Sequence, residues 1–450
     1  MSRLIRVALV VAFASAPLAG TATAAAITPP TVDKSLLPPP QSPAPPRPTA
    51  QTDACAVAQK ASLGGDVGGQ LDDLDLRSVW LLTRGAGQTV AVIDTGVARH
   101  RLLPRLLPGG DYVSSSDGAE DCDGHGTIVA GIVAATPDSD GADTFSGIAP
   151  DAAIIGIRQS SARFSAEDAN AGSGFGDVDT LARAVRTAVD MGATVINIST
   201  VACVPVGAPL DDGALGAALA YAVDVKNVVV VAAAGNVGAA GGCEHQNPAR
   251  PGRPDWDDVK TVVSPAWYDD HVLTVGSVGP NGAPSPFTLA GPWVDVAAPG
   301  ERVVSLDRDG DGLVATTPTA SGVKPLAGTS YAAPVVTGIA ALLRSRSPHL
   351  TARQVMRRIE DTARHPAAGW DPLVGHGVVD VLAAVTGGDP PAAHSDHPVT
   401  VSLPRPEPAD ERAVGVAVRG ATVCLAAATA VIALTLSTKR LRRSESIARD

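Results

Sequence analysis

Residues 90–96 have the sequence VAVIDTG, in which four apolar residues run directly into Asp94 and, two positions later, Gly96. A short apolar run of this kind predicts a buried strand. The strand delivers Asp94 to its carboxyl end, where the glycine lets the chain turn away. Two further motifs stand at predicted helix starts. One is DGHGT (residues 123–127), in which glycines flank His125, and the other is GTSYAAP (residues 328–334), which contains Ser330.

Nucleophilic serine catalysis requires a serine, a base and an acid, and the three motifs supply Ser330, His125 and Asp94. A serine hydroxyl reacts poorly at neutral pH unless a base takes its proton, and the base needs a third group that holds its tautomer. Asn236 follows an apolar run over residues 229–234, where its amide is placed to donate to a developing oxyanion together with the backbone N–H of Ser330. Each residue also has a structural alternative as a helix or turn cap.

Strand and helix patterns alternate along most of the chain. Strands are predicted over residues 89–93, 153–157, 195–198, 228–233 and 272–278, and helices over 125–135, 178–191, 213–225, 329–345 and 352–363. In the helix over 178–191, Leu181, Val185 and Val189 share one face. This alternation predicts an α/β fold with a mainly parallel central sheet that is flanked by helices.

The three motifs and the segment that ends at Asn236, in this order and spacing, resemble those of the subtilisin family of serine proteases. The resemblance covers roughly residues 80–385 and includes weaker similarities in SGIAP (146–150), DVAAPG (295–300) and GHGVVD (375–380). It implies a subtilisin-like three-layer fold and an endopeptidase that acts on protein or peptide substrates without a cofactor. It also implies that Asp94, His125 and Ser330 form the triad and that Asn236 lines the oxyanion hole.

Two segments depart from that family. Ser199 is followed by Thr200 and Val201, where many subtilisins have Leu-Gly. This segment usually forms one wall of the pocket for the residue before the scissile bond, so we expect these three residues to bind substrate. Residues 307–312, DRDGDG, alternate acids as calcium loops do but lack the distal bidentate glutamate. The sequence therefore favours a polar hairpin turn over a metal site.

Both chain ends have the composition of membrane-targeting segments. Residues 1–24 have a basic start, an apolar run and a small-residue cleavage motif, which predicts a signal peptide; an uncleaved anchor is the alternative. At the other end, the uncharged run 420–437 lies within a predicted transmembrane helix, 413–437, that follows a Pro-rich linker, 388–412. The basic tail, 438–450, places that side in the cytoplasm and residues 71–387 outside it. A buried core helix is the alternative reading of the C-terminal run.

The part of the chain predicted to be extracytoplasmic contains a Pro-rich extension and four cysteines. Residues 25–70 form a Pro-rich N-terminal extension that we expect to be extended and without its own core. Cys203 and Cys243 each follow a predicted strand, and parallel strands end at one edge of the sheet, so we expect these two to pair. Cys55 and Cys122 are then left to pair with each other. Free or metal-binding thiols are the alternative, which an oxidising compartment disfavours.

The whole-chain arrangement of signal, Pro-rich segment, four extracytoplasmic cysteines and C-terminal anchor resembles the mycosins. These are membrane-anchored subtilases of actinobacterial type VII (ESX) secretion systems. The resemblance implies a single-pass protein of the cell membrane that processes substrates of a secretion-system membrane complex and stabilises that complex. A scaffold with dispensable protease activity is the alternative. The net charge of −11 excludes a nucleic-acid partner, which needs a basic face.

Overall fold

A computed structural model describes residues 27–57, 59–60, 69–137, 145–168, 174–238, 242–310, 312–319 and 322–387. Its strands are β1 (Thr49–Gln51), β2 (Gln59–Lys60), β3 (Thr89–Asp94), β4 (Leu106–Asp111), β5 (Ala153–Arg158), β6 (Phe164–Ala166), β7 (Val195–Ile198), β8 (Ala202–Pro205), β9 (Val229–Ala233), β10 (Thr261–Ser264), β11 (Leu273–Val278), β12 (Val296–Pro299), β13 (Ser305–Leu306), β14 (Leu313–Thr319) and β15 (Gly322–Pro325).

The centre of the fold is a seven-stranded sheet with the order β12-β11-β9-β7-β3-β5-β4. Every pair in it is parallel, so the carboxyl ends of the strands share one edge. In the middle of this sheet, β3, β7 and β9 are neighbours. Their carboxyl ends lead into Thr95, Ser199 and Ala234 respectively. The sheet topology therefore brings three of the sequence motifs to the same place.

Helices cover this sheet. They are α1 (Leu76–Trp80), α2 (His125–Ala134), α3 (Val178–Asp190), α4 (Gly213–Ala220, continued by a π-helical turn over Tyr221–Val225), α5 (Thr329–Arg346), α6 (Ala352–Asp361) and α7 (Val381–Thr386). Helix α5 packs on β7, β9, β11 and β12 and also contacts α2, whereas α3 packs on α4, β3 and β5. The predicted mainly parallel α/β fold with flanking helices is thus confirmed.

Helix α3 illustrates how the sequence sets these elements. Asp177 caps its start by accepting a hydrogen bond from the Thr180 N–H at 2.8 Å, and the Thr180 hydroxyl oxygen accepts one from the Asp177 N–H at 3.0 Å. The three apolar residues predicted to share a face, Leu181, Val185 and Val189, are all buried. An amphipathic helix therefore forms where the pattern predicts one, with its apolar side on the core.

The described part of the N-terminal extension packs on the domain. It is mostly extended, as expected, but β1 pairs with β6 in antiparallel register and β2 pairs with β14. Val32 and Leu37 pack against the main core, and Ile27 against a second cluster around Trp293. The residues of the extension that the structure describes form no core of their own, but they contribute side chains to the cores of the domain.

Segments near the chain ends lie outside the described residues. These are the predicted signal peptide (1–24), linker (388–412), transmembrane helix (413–437) and basic tail (438–450). Within the part of the chain that the structure describes, none of the helices combines the length and the apolar character that crossing a bilayer requires.

Candidate active site

Asp94 and His125 are joined by a hydrogen bond at the carboxyl edge of the central sheet. His125 Nδ1 lies 2.7 Å from Asp94 Oδ1, which also accepts from the Thr95 N–H at 2.8 Å. The Asp94 side chain is fully buried, whereas 26% of the His125 side chain is exposed. Burial lowers the pKa of His125, but the charge and the hydrogen bond of Asp94 outweigh that effect and raise it. The pair can hold the imidazole in one tautomer, with Nε2 as the proton-exchanging nitrogen.

Gly126 explains why a glycine follows the histidine. A Cβ at this position would lie 2.0 Å from the carbonyl oxygen of Gly96 and 3.1 Å from Asp94 Cβ. Only a residue without a side chain lets helix α2 approach the end of β3 this closely. The close approach brings His125 within hydrogen-bond distance of Asp94.

Asp121 fixes the loop that leads into His125. Its buried carboxylate accepts hydrogen bonds from Gly124 N (2.7 Å), Thr127 N (2.8 Å), Thr127 Oγ1 (2.7 Å) and Thr95 Oγ1 (2.9 Å). Burial raises the pKa of Asp121 to about 6, although these hydrogen bonds oppose the rise. The sequence analysis did not single out this acid; its signal is its position four residues before the histidine.

Ser330 is the second residue of helix α5 and is 9% exposed. The ring of the next residue, Tyr331, lies 5.1 Å from the His125 imidazole, so the start of α5 adjoins the His125–Asp94 pair. Among the described residues, the Ser330 hydroxyl forms no hydrogen bond to His125. Catalytic hydrogen bonds are often long before substrate binds, so the arrangement is compatible with proton transfer between them.

Asn236 is oriented by the residue before the serine. Its Oδ1 accepts hydrogen bonds from Thr329 N at 2.9 Å and Thr329 Oγ1 at 3.1 Å, which leaves the Nδ2 amide as the donor. Asn236 Nδ2 and Ser330 Oγ border the same space beside Gly328. A methyl group on Gly328 would lie 3.7 Å from the amide nitrogen and 3.1 Å from the hydroxyl oxygen. An oxyanion formed on a carbonyl at Ser330 would therefore be within reach of this amide.

A cleft of about 1080 Å³ opens beside His125 and Tyr331. Its walls come from residues 160–163 and 174–176, from the hairpin of β13 and β14, and from residues 55–57 of the N-terminal extension. This volume exceeds that of a typical small-molecule pocket and suits an extended stretch of polypeptide.

Residues 199–201, the predicted substrate wall, follow β7. Ser199 is buried, and its hydroxyl donates to the carbonyl oxygen of Ser330 at 2.8 Å, so it contacts the helix that carries the serine. Thr200 Oγ1 is buried without a hydrogen-bond partner among the described residues. Val201 is half-buried and packs against both the main core and the Trp293 cluster.

Comparison with known proteins identifies the family. Residues 85–377 match the model of the subtilase family. The chain belongs to the subtilase family. It is therefore a serine endopeptidase of the subtilisin type.

Relatives of this subtilase narrow the family to the mycosins, to which the chain belongs. Mycosin-4 of Mycobacterium tuberculosis is 56% identical over an alignment of 452 residues, which covers 98% of this chain and 97% of that protein. The structure of MycP3 protease from the type VII (ESX-3) secretion system has a TM-score of 0.74 and 46% identity, covering 80% of this chain and 100% of that chain. A chain in the structure of an intact ESX-5 inner membrane complex has a TM-score of 0.75 and 41% identity, covering 91% of this chain and 100% of that chain.

Two disulfides in the subtilase join the expected partners. Cys55 is bonded to Cys122 and Cys203 to Cys243, with Cα–Cα distances of 4.6 and 5.3 Å. The first ties the N-terminal extension to the loop before His125. The second joins the segment after β7 to the segment after β9, as the shared edge of parallel strands predicts.

The described residues of the acidic segment, 307–310 and 312, lie between β13 and β14, which pair in antiparallel register as the predicted hairpin requires. Within the described residues, no group of three or more histidine, cysteine, aspartate or glutamate side chains is arranged to hold a metal ion. The hairpin instead places Arg308 against the loop before His125, a contact that the sequence did not indicate.

Proposed function

We propose that Ser330 is the nucleophile, His125 the general base and Asp94 the group that orients and stabilises the imidazolium. The observation that carries this assignment is the 2.7 Å bond from His125 to Asp94 beside the start of the helix that bears Ser330. In the first step the Ser330 oxygen bonds to the scissile carbonyl carbon while its proton passes to His125 Nε2. That proton then goes to the leaving amine, and water resolves the acyl-enzyme by the same route.

Asn236 Nδ2 and the Ser330 N–H stabilise the oxyanion in this proposal. The amide is held by Thr329 through its oxygen, so its nitrogen donates without reorganisation when charge develops. Substrates are polypeptides bound in the cleft. Thr200 and Val201 are not among the residues that line this cleft, and we propose them as the wall of a separate pocket for the residue before the scissile bond. The β-branched Val201 narrows that pocket and favours a small residue such as alanine there.

We further propose that the protein acts at a type VII secretion system, as a single-pass protein of the cell membrane with the peptidase domain extracytoplasmic and the basic tail in the cytoplasm. The predicted signal peptide and the predicted anchor at residues 413–437 support this localisation, and relatives form part of the ESX-5 inner membrane complex. In this role it processes secreted protein substrates and stabilises the membrane complex.

A mainly structural role in the complex is the second candidate. It is favoured by one observation, that similar chains are integral to an assembled inner membrane complex. A scaffold needs the surface of the domain and its anchor, whereas a processing enzyme needs Ser330. The two roles therefore depend on different residues of the same chain.

Replacement of the native chain by variants tests these roles. Ser330→Ala should abolish substrate cleavage but leave secretion and complex assembly intact, because it removes one hydroxyl without altering the surface. Deletion of residues 420–437 should leave a soluble active peptidase and abolish assembly. Ser35→Ala, an exposed hydroxyl outside the cleft, is the matched control. Loss of secretion in Ser330→Ala as complete as in a deletion of the whole chain would eliminate the structural role.

A further inference from the structure

Arg308, in the turn of the β13–β14 hairpin, bridges two other segments of the chain. Its Nε donates to the carbonyl oxygen of Ala56 at 2.9 Å, and its Nη1 donates to the carbonyl oxygen of Asp121 at 2.8 Å. The Asp309 carboxylate accepts from Nη2 at 2.9 Å and also from Nε at 3.1 Å. Only 15% of the Arg308 side chain is exposed, whereas 46% of the Asp309 side chain is exposed. The two carbonyl bonds therefore fix the guanidinium, and the exposed ion pair adds little.

The carbonyl of Asp121 belongs to the four-residue loop, 121–124, that leads into His125. The aliphatic part of Arg308 also covers this loop, since a Cβ on Gly124 would lie 3.3 Å from Arg308 Cδ. The neighbouring carbonyl, that of Cys122, accepts from the Ala56 N–H at 2.8 Å. Two successive carbonyls of the loop are therefore held from outside, one by the hairpin and one by the N-terminal extension.

The inner side of the loop is held by the Asp121 carboxylate, which bonds Gly124 and Thr127 as described above. Without Arg308 the Asp121 carboxylate contacts and the Cys55–Cys122 disulfide remain, but the Asp121 carbonyl loses its donor, and Ala56, which holds the Cys122 carbonyl, loses its bond to Arg308. The loop can then shift outward, and His125, the residue it delivers, shifts relative to Asp94. A displacement of catalytic groups by about 1 Å can cost about 100-fold in rate.

We propose that Arg308 is a positioning residue for the catalytic base. It acts through the 121–124 loop to keep His125 Nδ1 at its 2.7 Å distance from Asp94 Oδ1. This inference rests on the proposed role of His125 as the base. Arg308 lies 187 residues from Asp121 in sequence, so a side chain of a distant hairpin helps to fix the geometry of the catalytic base.

Steady-state kinetics of Arg308→Lys and Arg308→Met test the role. Lysine keeps the charge but not the fork that reaches two carbonyls, and methionine keeps only the apolar stem. Both should lower kcat about tenfold or more with KM within about twofold of wild type. The acid limb of the pH profile should move to lower pH, because Asp94 raises the pKa of His125 and a looser pair raises it less.

Asp309→Asn is the matched control, since it removes the ion pair of Arg308 and leaves both carbonyl bonds. It should keep kcat, KM and the acid limb of wild type. If Arg308→Met does not fold, Arg308→Lys alone decides. Two results would overturn the proposal. If the Arg308 variants have a raised KM but the kcat and acid limb of wild type, Arg308 is a substrate contact. If Arg308→Lys has the kinetics of wild type, Arg308 does not position the base. Failure of the proposed function is distinguishable, because wild type would then itself react with no fluorophosphonate probe.

Discussion

The hydroxyl of Ser199 donates a hydrogen bond of 2.8 Å to the carbonyl oxygen of Ser330. In a regular helix that carbonyl would accept from the N–H four residues later, but residue 334 is a proline and has none. Ser199 supplies the missing donor from the end of β7, and its own hydroxyl accepts from Asn197 Nδ2 at 2.9 Å. The central sheet thereby fixes the first turn of the helix that carries the proposed nucleophile.

Ser199→Ala should therefore impair catalysis by removing the donor to the Ser330 carbonyl. It leaves a buried carbonyl without a donor, which costs about 1–3 kcal/mol of stability. We expect kcat to fall about tenfold while KM stays within about twofold, because the first turn of α5 loosens. Ser199→Thr retains the hydroxyl and should stay close to wild type. Equal kcat in Ser199→Ala and wild type, measured on one peptide, would show that Ser199 does not contribute to catalysis.

Asn236 should act through its amide nitrogen alone. Asn236→Asp keeps an oxygen that accepts from Thr329 but loses the donor, so kcat should fall about 100- to 1000-fold with the fold retained. Asn236→Leu removes both functions and should lower the melting temperature as well. Retention of more than about a tenth of wild-type kcat by Asn236→Asp would show that the oxyanion is stabilised elsewhere.

The pH dependence of cleavage should report the Asp94–His125 pair. Neutral His125 is the active base, so the rate rises as pH passes through its pKa, which Asp94 holds above the ordinary histidine value of about 6.5. Asp94→Asn removes that charge and favours the wrong tautomer, so kcat should fall about 10⁴-fold and the residual acid limb should move to lower pH. An acid limb that moves upward in this variant would contradict the assignment.

Val201 should set the preference for a small residue before the scissile bond. Val201→Gly removes the branched side chain and should raise kcat/KM for leucine or phenylalanine substrates by about tenfold or more. Val201→Ile adds one methylene group and should sharpen the preference for alanine. Profiling of all three proteins with one peptide library measures this. Best cleavage after phenylalanine or leucine by wild type would refute the proposed pocket.

Local sequence patterns predict most of the sheet and its helices. The buried strands after which Asp94 and Asn236 stand, and the periodic face of Leu181, Val185 and Val189, depend on near neighbours in sequence, and the structure has them at the expected places. The cysteine pairing could also be predicted, because parallel strands end at one edge of a sheet. The edge strand β4 was not predicted, since its Pro-Gly-Gly sequence is unlike that of a strand.

Apart from the disulfides, the contacts that Arg308, the N-terminal extension and Ser199 make with distant segments could not be predicted from the sequence. Arg308 reaches carbonyl groups 187 and 252 residues away, and its short acidic turn has only the pattern of a polar loop. The packing of the Pro-rich extension depends likewise on surfaces that exist only in the folded domain. The hydrogen bond from the Ser199 hydroxyl to the Ser330 carbonyl arises because Pro334, in another element, has no N–H to donate. The sequence therefore predicted only a substrate-binding role for Ser199 and not this bond.

Covalent labelling by a fluorophosphonate probe, located by peptide mass spectrometry, tests whether Ser330 is the activated nucleophile. The probe phosphonylates a serine oxygen only when a base removes its proton and donors stabilise the developing charge. We expect a single adduct on Ser330 in wild type and none in Ser330→Ala, with labelling strongly slowed in His125→Ala. A folded wild-type domain that stays unlabelled, or an adduct on another serine that persists in Ser330→Ala, would contradict it.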